Sequence, residues 1–176
     1  MSTLQIRPAT TSDIPGLCAL GARTFLDTYT PISDPAHVAD YARIHFTPDR
    51  IAGWLAAPRS VTLLALLGDE PAGYAYVLQD GAPDCVADRD AVHLSRLYLL
   101  RGAQGRRHGS ALLGAALASA ARMGGDSVWL GVYDRNPRAI TFYERHGFRT
   151  VGTHEFPFGG EIFHDPVMTR RLDRVA

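Results

Sequence analysis

Cysteine is scarce in this 176-residue chain. Cys18 and Cys85 are the only two, too few for a disulfide framework or a paired-cysteine zinc motif. Net charge is absent as well. Eighteen basic and eighteen acidic side chains cancel, so nothing draws the whole chain toward nucleic acid or an anionic membrane. Any anion it binds must be met by a local arrangement. No run of 18 apolar residues occurs, and the opening "MSTLQIRPATTSD" has no apolar signal core. The seven histidines show no metal-ligand spacing. These absences predict a cytoplasmic protein with a single domain over 1–176, no nucleic-acid or membrane partner, and no metal.

What is present supports a sizeable core, since 46% of the residues are hydrophobic. "LQIRPA" (4–9) reads as a strand. A helix follows, with Ser12 or Thr11 as N-cap, running to about Asp27. The segment 31–58 reads as helix in two pieces, broken at "FTPDR". "SVTLLALLG" (60–68) and "AGYAYVLQ" (72–79) form a hairpin around "GDEP", and the polar stretch 81–90 is a loop. "AVHLSRLYLL" (91–100) is a strand whose apolar alternation holds at Val92 and Leu94 and is less regular at Leu97 and Leu99. A helix over 110–123 stops at Gly124-Gly125. "SVWLGVY" (127–133) is a buried strand. "NPRAITFYERHG" (136–147) is a short helix with Asn136 as N-cap and Pro137 at its first position. "FRTVGTHEF" and "EIFHDPVMTRRL" close the chain as two strands paired across "PFGG". The order is mixed α/β with a strand–helix–strand unit at its centre.

Between the strand at 91–100 and the helix after it lies "RGAQGRRHGS". The first N–H groups of a helix lack intrahelical partners, and the helix dipole adds positive potential there. Small residues let an anion approach the main chain. Gln104, Gly105, Arg106, Arg107, His108, Gly109 and Ser110 fit a phosphate cradle; the alternative is a turn that only connects two elements. The Walker pattern needs a lysine that the turn lacks. The dinucleotide fingerprint needs Gly-x-Gly-x-x-Gly, whereas the glycines here fall at 102, 105 and 109. Asp134, after the next strand, is the one feature that favours a dinucleotide.

"QGRRHG" after "LSRLYLL" resembles the acetyl-CoA-binding motif of the GNAT (Gcn5-related) N-acetyltransferase superfamily, Gln/Arg-x-x-Gly-x-Gly/Ala. "NPRAITFYERHGF" resembles its second signature, with Asn136, Ala139, Phe142, Tyr143, Gly147 and Phe148 in register. Arg107 stands where that first motif has its middle glycine. The resemblance implies an α/β (α+β) fold: a mixed, mostly antiparallel twisted sheet of about seven strands, splayed between the fourth and fifth, with about four helices. "TFLDTY", "WLGVYDRNPRAITFYERHGF" and "FPFGGEIFHDPVMTRRL" are similar to the PaiA-type spermidine/spermine N-acetyltransferase branch. That branch often carries acidic residues where this chain has His93 and Ser95.

The resemblance further implies acetyl-CoA as co-substrate and direct acetyl transfer to an amine. It makes Tyr143 the acid for the departing thiolate. Asn136 is placed on the pantetheine arm, and main-chain groups of Leu97, Tyr98 and Leu99 pair with that arm, the N–H of Leu99 or Tyr98 facing the oxyanion. His93 is the candidate base, with Glu155 and Asp27 as others. Asp27, Tyr29 and Glu155 are candidate contacts for a small-molecule amine. If that amine is a polyamine, Asp27, Asp34, Glu155 and Glu161 are the carboxylates available to its distal ammonium groups. A protein or peptide acceptor, a non-catalytic acetyl-CoA-binding module and a homodimer are left open.

Overall fold

In the computed structural model, which describes residues 3–173, seven strands join in one sheet. They are β1 (Leu4–Pro8), β2 (Ser60–Leu67), β3 (Glu70–Leu78), β4 (Val92–Leu99), β5 (Ser127–Gly131), β6 (Arg149–Phe158) and β7 (Glu161–Arg171). Their spatial order is β1-β2-β3-β4-β5-β7-β6, and only β4 and β5 run parallel. Five helices accompany them: α1 (Ile14–Tyr29), α2 (Pro35–His45), α3 (Pro48–Ala56), α4 (His108–Arg122) and α5 (Pro137–Arg145). That is one more than the family pattern, because 31–58 does divide in two. Thr47 caps α3 and Pro48 opens it, as the break at "FTPDR" predicts.

The sheet is buried on both faces. On one, Leu112, Leu113, Ala116 and Ala120 of α4 pack on Val92, Leu94, Val128 and Leu130, with Phe142 and Tyr143 of α5 beside them. On the other, Leu17, Leu20 and Phe25 of α1, Val38 and Ala42 of α2 and Ile51 of α3 cover Leu64, Leu66 and Tyr74. The strands therefore read as near-continuous apolar runs rather than as strict alternation.

Among the boundaries that differ from the sequence expectation, three have a local reason. A 3₁₀ turn (Thr11–Asp13) precedes α1 and puts Asp13 at its N-cap position in place of Ser12 or Thr11, with the side chain turned back toward β1 rather than onto the helix. Its carboxylate accepts the Thr10 N–H at 2.7 Å and a bidentate Arg7 guanidinium at 2.7 and 2.8 Å. The helix then runs to Tyr29, beyond Asp27, and Thr30 N–H still reaches Leu26 C=O at 3.1 Å. At the other motif, α4 starts at His108 instead of Ser110 because Arg107 takes a left-handed conformation (φ 62°) at the N-cap.

Two irregularities in β4 shape the middle of the sheet. Tyr76 pairs with Arg96 and Val77 with Leu94, so Ser95 is an extra residue, a bulge. The bulge shifts the alternation, which explains why Val92 and Leu94 are followed by Leu97 and Leu99 on the same face. On its other side β4 meets β5 through Val92↔Val128 and His93↔Trp129 only. Beyond His93 the two strands part, as the resemblance implies.

Candidate active site

The parting of β4 and β5 opens a crevice of about 1430 Å³, lined from the starts of α4 and α5 and from the end of α1. Five arginines line it (Arg96, Arg101, Arg107, Arg138 and Arg145) against one carboxylate, Asp27. A chain with no net charge thus has a local excess of four positive charges here, which favours an anionic ligand.

One end of the crevice is the start of α4. Among the described residues, the N–H groups of His108, Gly109 and Ser110 have no acceptor, and the first return bond is Ala111 N–H to Arg107 C=O at 3.0 Å. Each hydrogen bond from such a group to a bound anion contributes about 1.5–3 kcal/mol. Gly109 lets that end pack closely: a Cβ there would lie 3.4 Å from the Phe142 ring and 3.6 Å from Leu99. Of the seven turn residues named from the sequence, Gln104, Gly105, Arg107, Gly109 and Ser110 line the crevice. Arg106 is exposed outside it, and His108 turns back, its Nδ1 2.9 Å from Ala103 C=O. Gln104 also turns inward, donating from Nε2 to Leu99 C=O at 3.0 Å. Ser110 is held from α5: His146 Nδ1 donates to Phe142 C=O at 2.7 Å, and its Nε2 lies 2.9 Å from Ser110 Oγ.

The open edge of β4 offers fewer main-chain groups than the sequence leads one to expect. Leu100 N–H donates to Ala72 C=O at 2.9 Å, which turns Leu100 toward β3. By antiparallel alternation Tyr98 faces β3 too, while Leu97 and Leu99 face the gap. The Tyr98 backbone is therefore committed to the sheet; Leu97 and the N–H of Leu99 are free to pair with a ligand, while Leu99 C=O is held by Gln104. Asn136, also in the crevice, accepts Ala139 N–H at 3.2 Å on Oδ1, as an N-cap should. Tyr143 lines the crevice wall, edge-on to Phe148 at 5.5 Å. Burial pushes its hydroxyl well above the ordinary tyrosine value, with Tyr98 adding to the shift, so it is a protonated donor at any physiological pH.

A second cavity of about 220 Å³ lies on the α1/α2 side, and it meets the crevice where β4 and β5 part. Tyr29, Ser95, Arg96, Tyr98, Gly131 and Tyr133 line both. Tyr29 and Tyr98 share a hydrogen bond at 3.2 Å, and Tyr133 bonds Ser33 at 2.9 Å. The walls are aromatic: Phe25, Tyr41, Trp129, Phe156 and Phe158. His93 lies on Trp129 with ring centroids 3.8 Å apart, its Nδ1 3.3 Å from an Asp80 oxygen. That leaves His93 Nε2 free of protein partners among the described residues.

The other residues named from the sequence fall elsewhere. Asp27 lies in the crevice rather than the smaller cavity, paired to Arg23 at 3.1 Å. Asp34 caps α2 by accepting Ala36 N–H at 2.8 Å. Glu155 is exposed on the far face of β6, because alternation turns His154 and Phe156 into the cavity instead. The side chain of Glu161 lies outside the described residues.

Several lining residues are not singled out by sequence alone. His154 lies over the end of β5, where a Cβ on Gly131 would come 2.5 Å from its Nε2. Its cross-strand partner Asp165 is buried, accepts Asp134 N–H at 3.3 Å, and has its carboxyl pushed up chiefly by burial. The period of "THEF" holds the signal for His154, since it is Glu155 that must face out. Arg96 is the sharper omission. Its guanidinium lies 5.1 Å from the Phe46 ring and 5.0 Å from Trp54, and donates to Tyr41 Oη at 3.3 Å. Such ring contacts contribute about 0.5–2 kcal/mol each, less than the several kcal/mol that loss of water costs a charge. A lone arginine inside "LSRLYLL" is the visible clue.

Residues 24–148 match the Acetyltransferase (GNAT) family. An uncharacterized N-acetyltransferase of Mycobacterium tuberculosis is 38% identical over 161 residues, covering 92% of this chain and 99% of its own. Among solved structures, the PaiA N-acetyltransferase of Thermoplasma acidophilum, in complex with coenzyme A, superposes with a TM-score of 0.80 at 19% identity, over 96% of this chain and 99% of its own. An acetyltransferase from Thermus thermophilus superposes at 0.67 with 27% identity, over 98% and 100%.

Proposed function

We propose, for a chain that belongs to the Acetyltransferase (GNAT) family, that acetyl passes directly from acetyl-CoA to a primary amine of a small molecule. The observation that carries this reading is the junction of two unlike cavities at the β4/β5 gap. One is long, arginine-lined and ends on uncapped helix N–H groups; the other is small, aromatic and carries imidazoles.

The residues of the crevice fit acetyl-CoA. The start of α4 with Arg107 would hold the pyrophosphate, Leu97 and Leu99 would pair with the pantetheine amides, and Asn136 stands beside that path. When bound, acetyl-CoA supplies the acetyl group as an activated thioester. The chain's own residues then have two proton tasks. His93 Nε2 takes a proton from the acceptor ammonium, with Nδ1 oriented by Asp80. As the N–C bond forms and the C–S bond breaks, Tyr143 Oη gives its proton to the leaving thiolate sulfur and is restored by the second proton that the acceptor nitrogen sheds on becoming an amide. His154, poised over Gly131 with Asp165 across the strand pair, is a second candidate for the first task.

The small cavity favours a small acceptor over a peptide, since α1 and α2 cover it. Its charges do not support a polyamine. Asp27, Asp34 and Glu155 stand outside it, and among the described residues Asp165 is its one carboxylate. The test is release of free CoA thiol from acetyl-CoA over a panel of amines. All eighteen basic side chains are arginine, so no lysine of the enzyme competes as acceptor. We expect amine-dependent release, and mass spectrometry should find an acetylated amine. Thiol release that no amine accelerates would reduce the protein to a binding module.

A further inference from the structure

Arg96 is a charged group that has no counter-ion among the described residues. It leaves β4 beside the Ser95 bulge and rests against the Phe46 and Trp54 rings, about 5 Å from each centroid, and its one side-chain hydrogen bond to a described residue goes to Tyr41. Among the described residues no carboxylate comes within 4.0 Å of it. The tyrosine hydroxyls around it cannot serve as counter-ions, because burial holds Tyr74 and Tyr98 protonated. A guanidinium has five N–H donors in a planar fork, and only one of them is used. Arg96 is a lining residue of both cavities, and Tyr41, to which its guanidinium donates, lines the smaller one. His93 and His154 stand in the same small cavity; Asp165, whose burial favours its neutral form, is the one carboxylate that lines it among the described residues, and Asp80 meets His93 at Nδ1 from outside that lining.

We propose that Arg96 is the receptor for an oxyanion on the acceptor, so that the substrate class is a small amine carrying a carboxylate or phosphonate, with an apolar body against the aromatic walls. This rests on the acetyl-transfer reading and narrows it. A carboxylate fits the guanidinium fork with two parallel hydrogen bonds and returns to Arg96 the neutralisation that the fold withholds. A polyamine would meet only repulsion from it. The Phe46 and Trp54 rings, set at 85° to one another, hold the guanidinium from two adjacent sides before any ligand arrives, as a specificity element requires.

The test compares matched acceptors on the wild-type enzyme: leucine, leucine methyl ester, 3-methylbutylamine, the aminophosphonate analogue of leucine, and spermidine. Leucine or its phosphonate should exceed the ester, the plain amine and spermidine by at least about tenfold in kcat/KM. The ratio of leucine to its phosphonate says which oxyanion is preferred. Arg96→Met should erase the preference and Arg96→Lys should keep part of it, while calorimetric acetyl-CoA affinity changes less than about threefold in both. Equal or faster acetylation of the ester, the plain amine or spermidine would overturn the oxyanion subsite and leave acetyl transfer standing. No thiol release with any member of the series would instead bring down acetyl transfer itself, and the subsite with it. The wild-type comparison decides the matter even if an Arg96 variant fails to fold.

Discussion

The two cavities that meet at the β4/β5 gap are built by opposite means. The crevice is made chiefly of main chain: the first N–H groups of α4, the free edge of β4 at Leu97 and Leu99, and the cap of α5. Apart from Asp27, Thr28, Tyr29 and Pro31, its lining lies within 94–146, almost one continuous stretch. The smaller cavity is made of side chains from α1, α2, β4, β5, β6 and β7, brought together only by the finished fold. A backbone site constrains its sequence at fixed spacings, because helix starts, turns and close approaches accept few residue types. A side-chain site leaves each contributor free to change, which is how one scaffold can serve many acceptors.

The largest predicted effect strikes the backbone-built side. Gly109→Glu puts a carboxylate at the start of α4, against Phe142 and Leu99. Acetyl-CoA affinity should fall by about 100-fold or more, since bulk and negative charge both oppose a bound phosphate. Isothermal calorimetry on folded protein measures it, and unchanged binding would remove the anion cradle from α4. Next comes the boundary between the two regions. Tyr143→Phe should lower kcat by about 100-fold with little change in acetyl-CoA affinity, the pattern of a group acting in the transition state. An equally active variant would leave Tyr143 as packing against Phe148.

On the side-chain-built side, Asp165 carries a stability cost. Burial raises its pKa in the fold, so its contribution to stability is whole below the ordinary carboxylate range and is lost as pH rises through the raised value. Asp165→Asn keeps an oxygen for Asp134 N–H and cannot ionise. Its melting temperature should match the wild type near pH ~3.5 and exceed it by roughly 2 °C at about pH 7. A gap that shrinks as pH rises contradicts the assignment. The smallest effect is at Arg107, whose left-handed backbone (φ 62°) strains a residue that has a Cβ. Arg107→Gly relieves about 1–2 kcal/mol of strain but adds freedom to the unfolded chain, for a net gain of about 0.5 kcal/mol. Losing one charge should weaken acetyl-CoA binding a few-fold at low salt and hardly at all in high salt. Chemical denaturation and calorimetry at two ionic strengths read both.

Arg107 also shows what a motif conveys. The sequence marks it as the wrong residue for a glycine position, yet the chain keeps the glycine conformation there, because the anchoring of Gly105, His108 and Ala103 fixes the turn whichever side chain it carries. The bulge at Ser95 is legible as a broken rhythm, Leu94 to Leu97, although nothing in one strand says which partner residue it faces. Glu155 is misplaced toward the ligand when acidity is weighed above period; the strand's alternation gives the place to His154. Arg96 is visible as a lone charge in an apolar strand, but its company with Tyr41 and Trp129 lies beyond reach for a different reason. Their meeting depends on how α2, β4 and β5 stack, a long-range geometry that no local pattern encodes.

The parting of β4 and β5 has a mechanical side. Two lateral residue pairs, Val92↔Val128 and His93↔Trp129, are the whole seam between the four-stranded and the three-stranded halves of the sheet. The amides of Leu97 and Leu99 on that seam have no sheet partner, so they should exchange with deuterium quickly in the free enzyme and slowly once a pantetheine arm lies between the halves. The ligand then acts as a missing strand, and the two halves should melt more nearly as one as its concentration rises. Such a seam would let the enzyme register, in its own cooperativity, how much acetyl-CoA surrounds it.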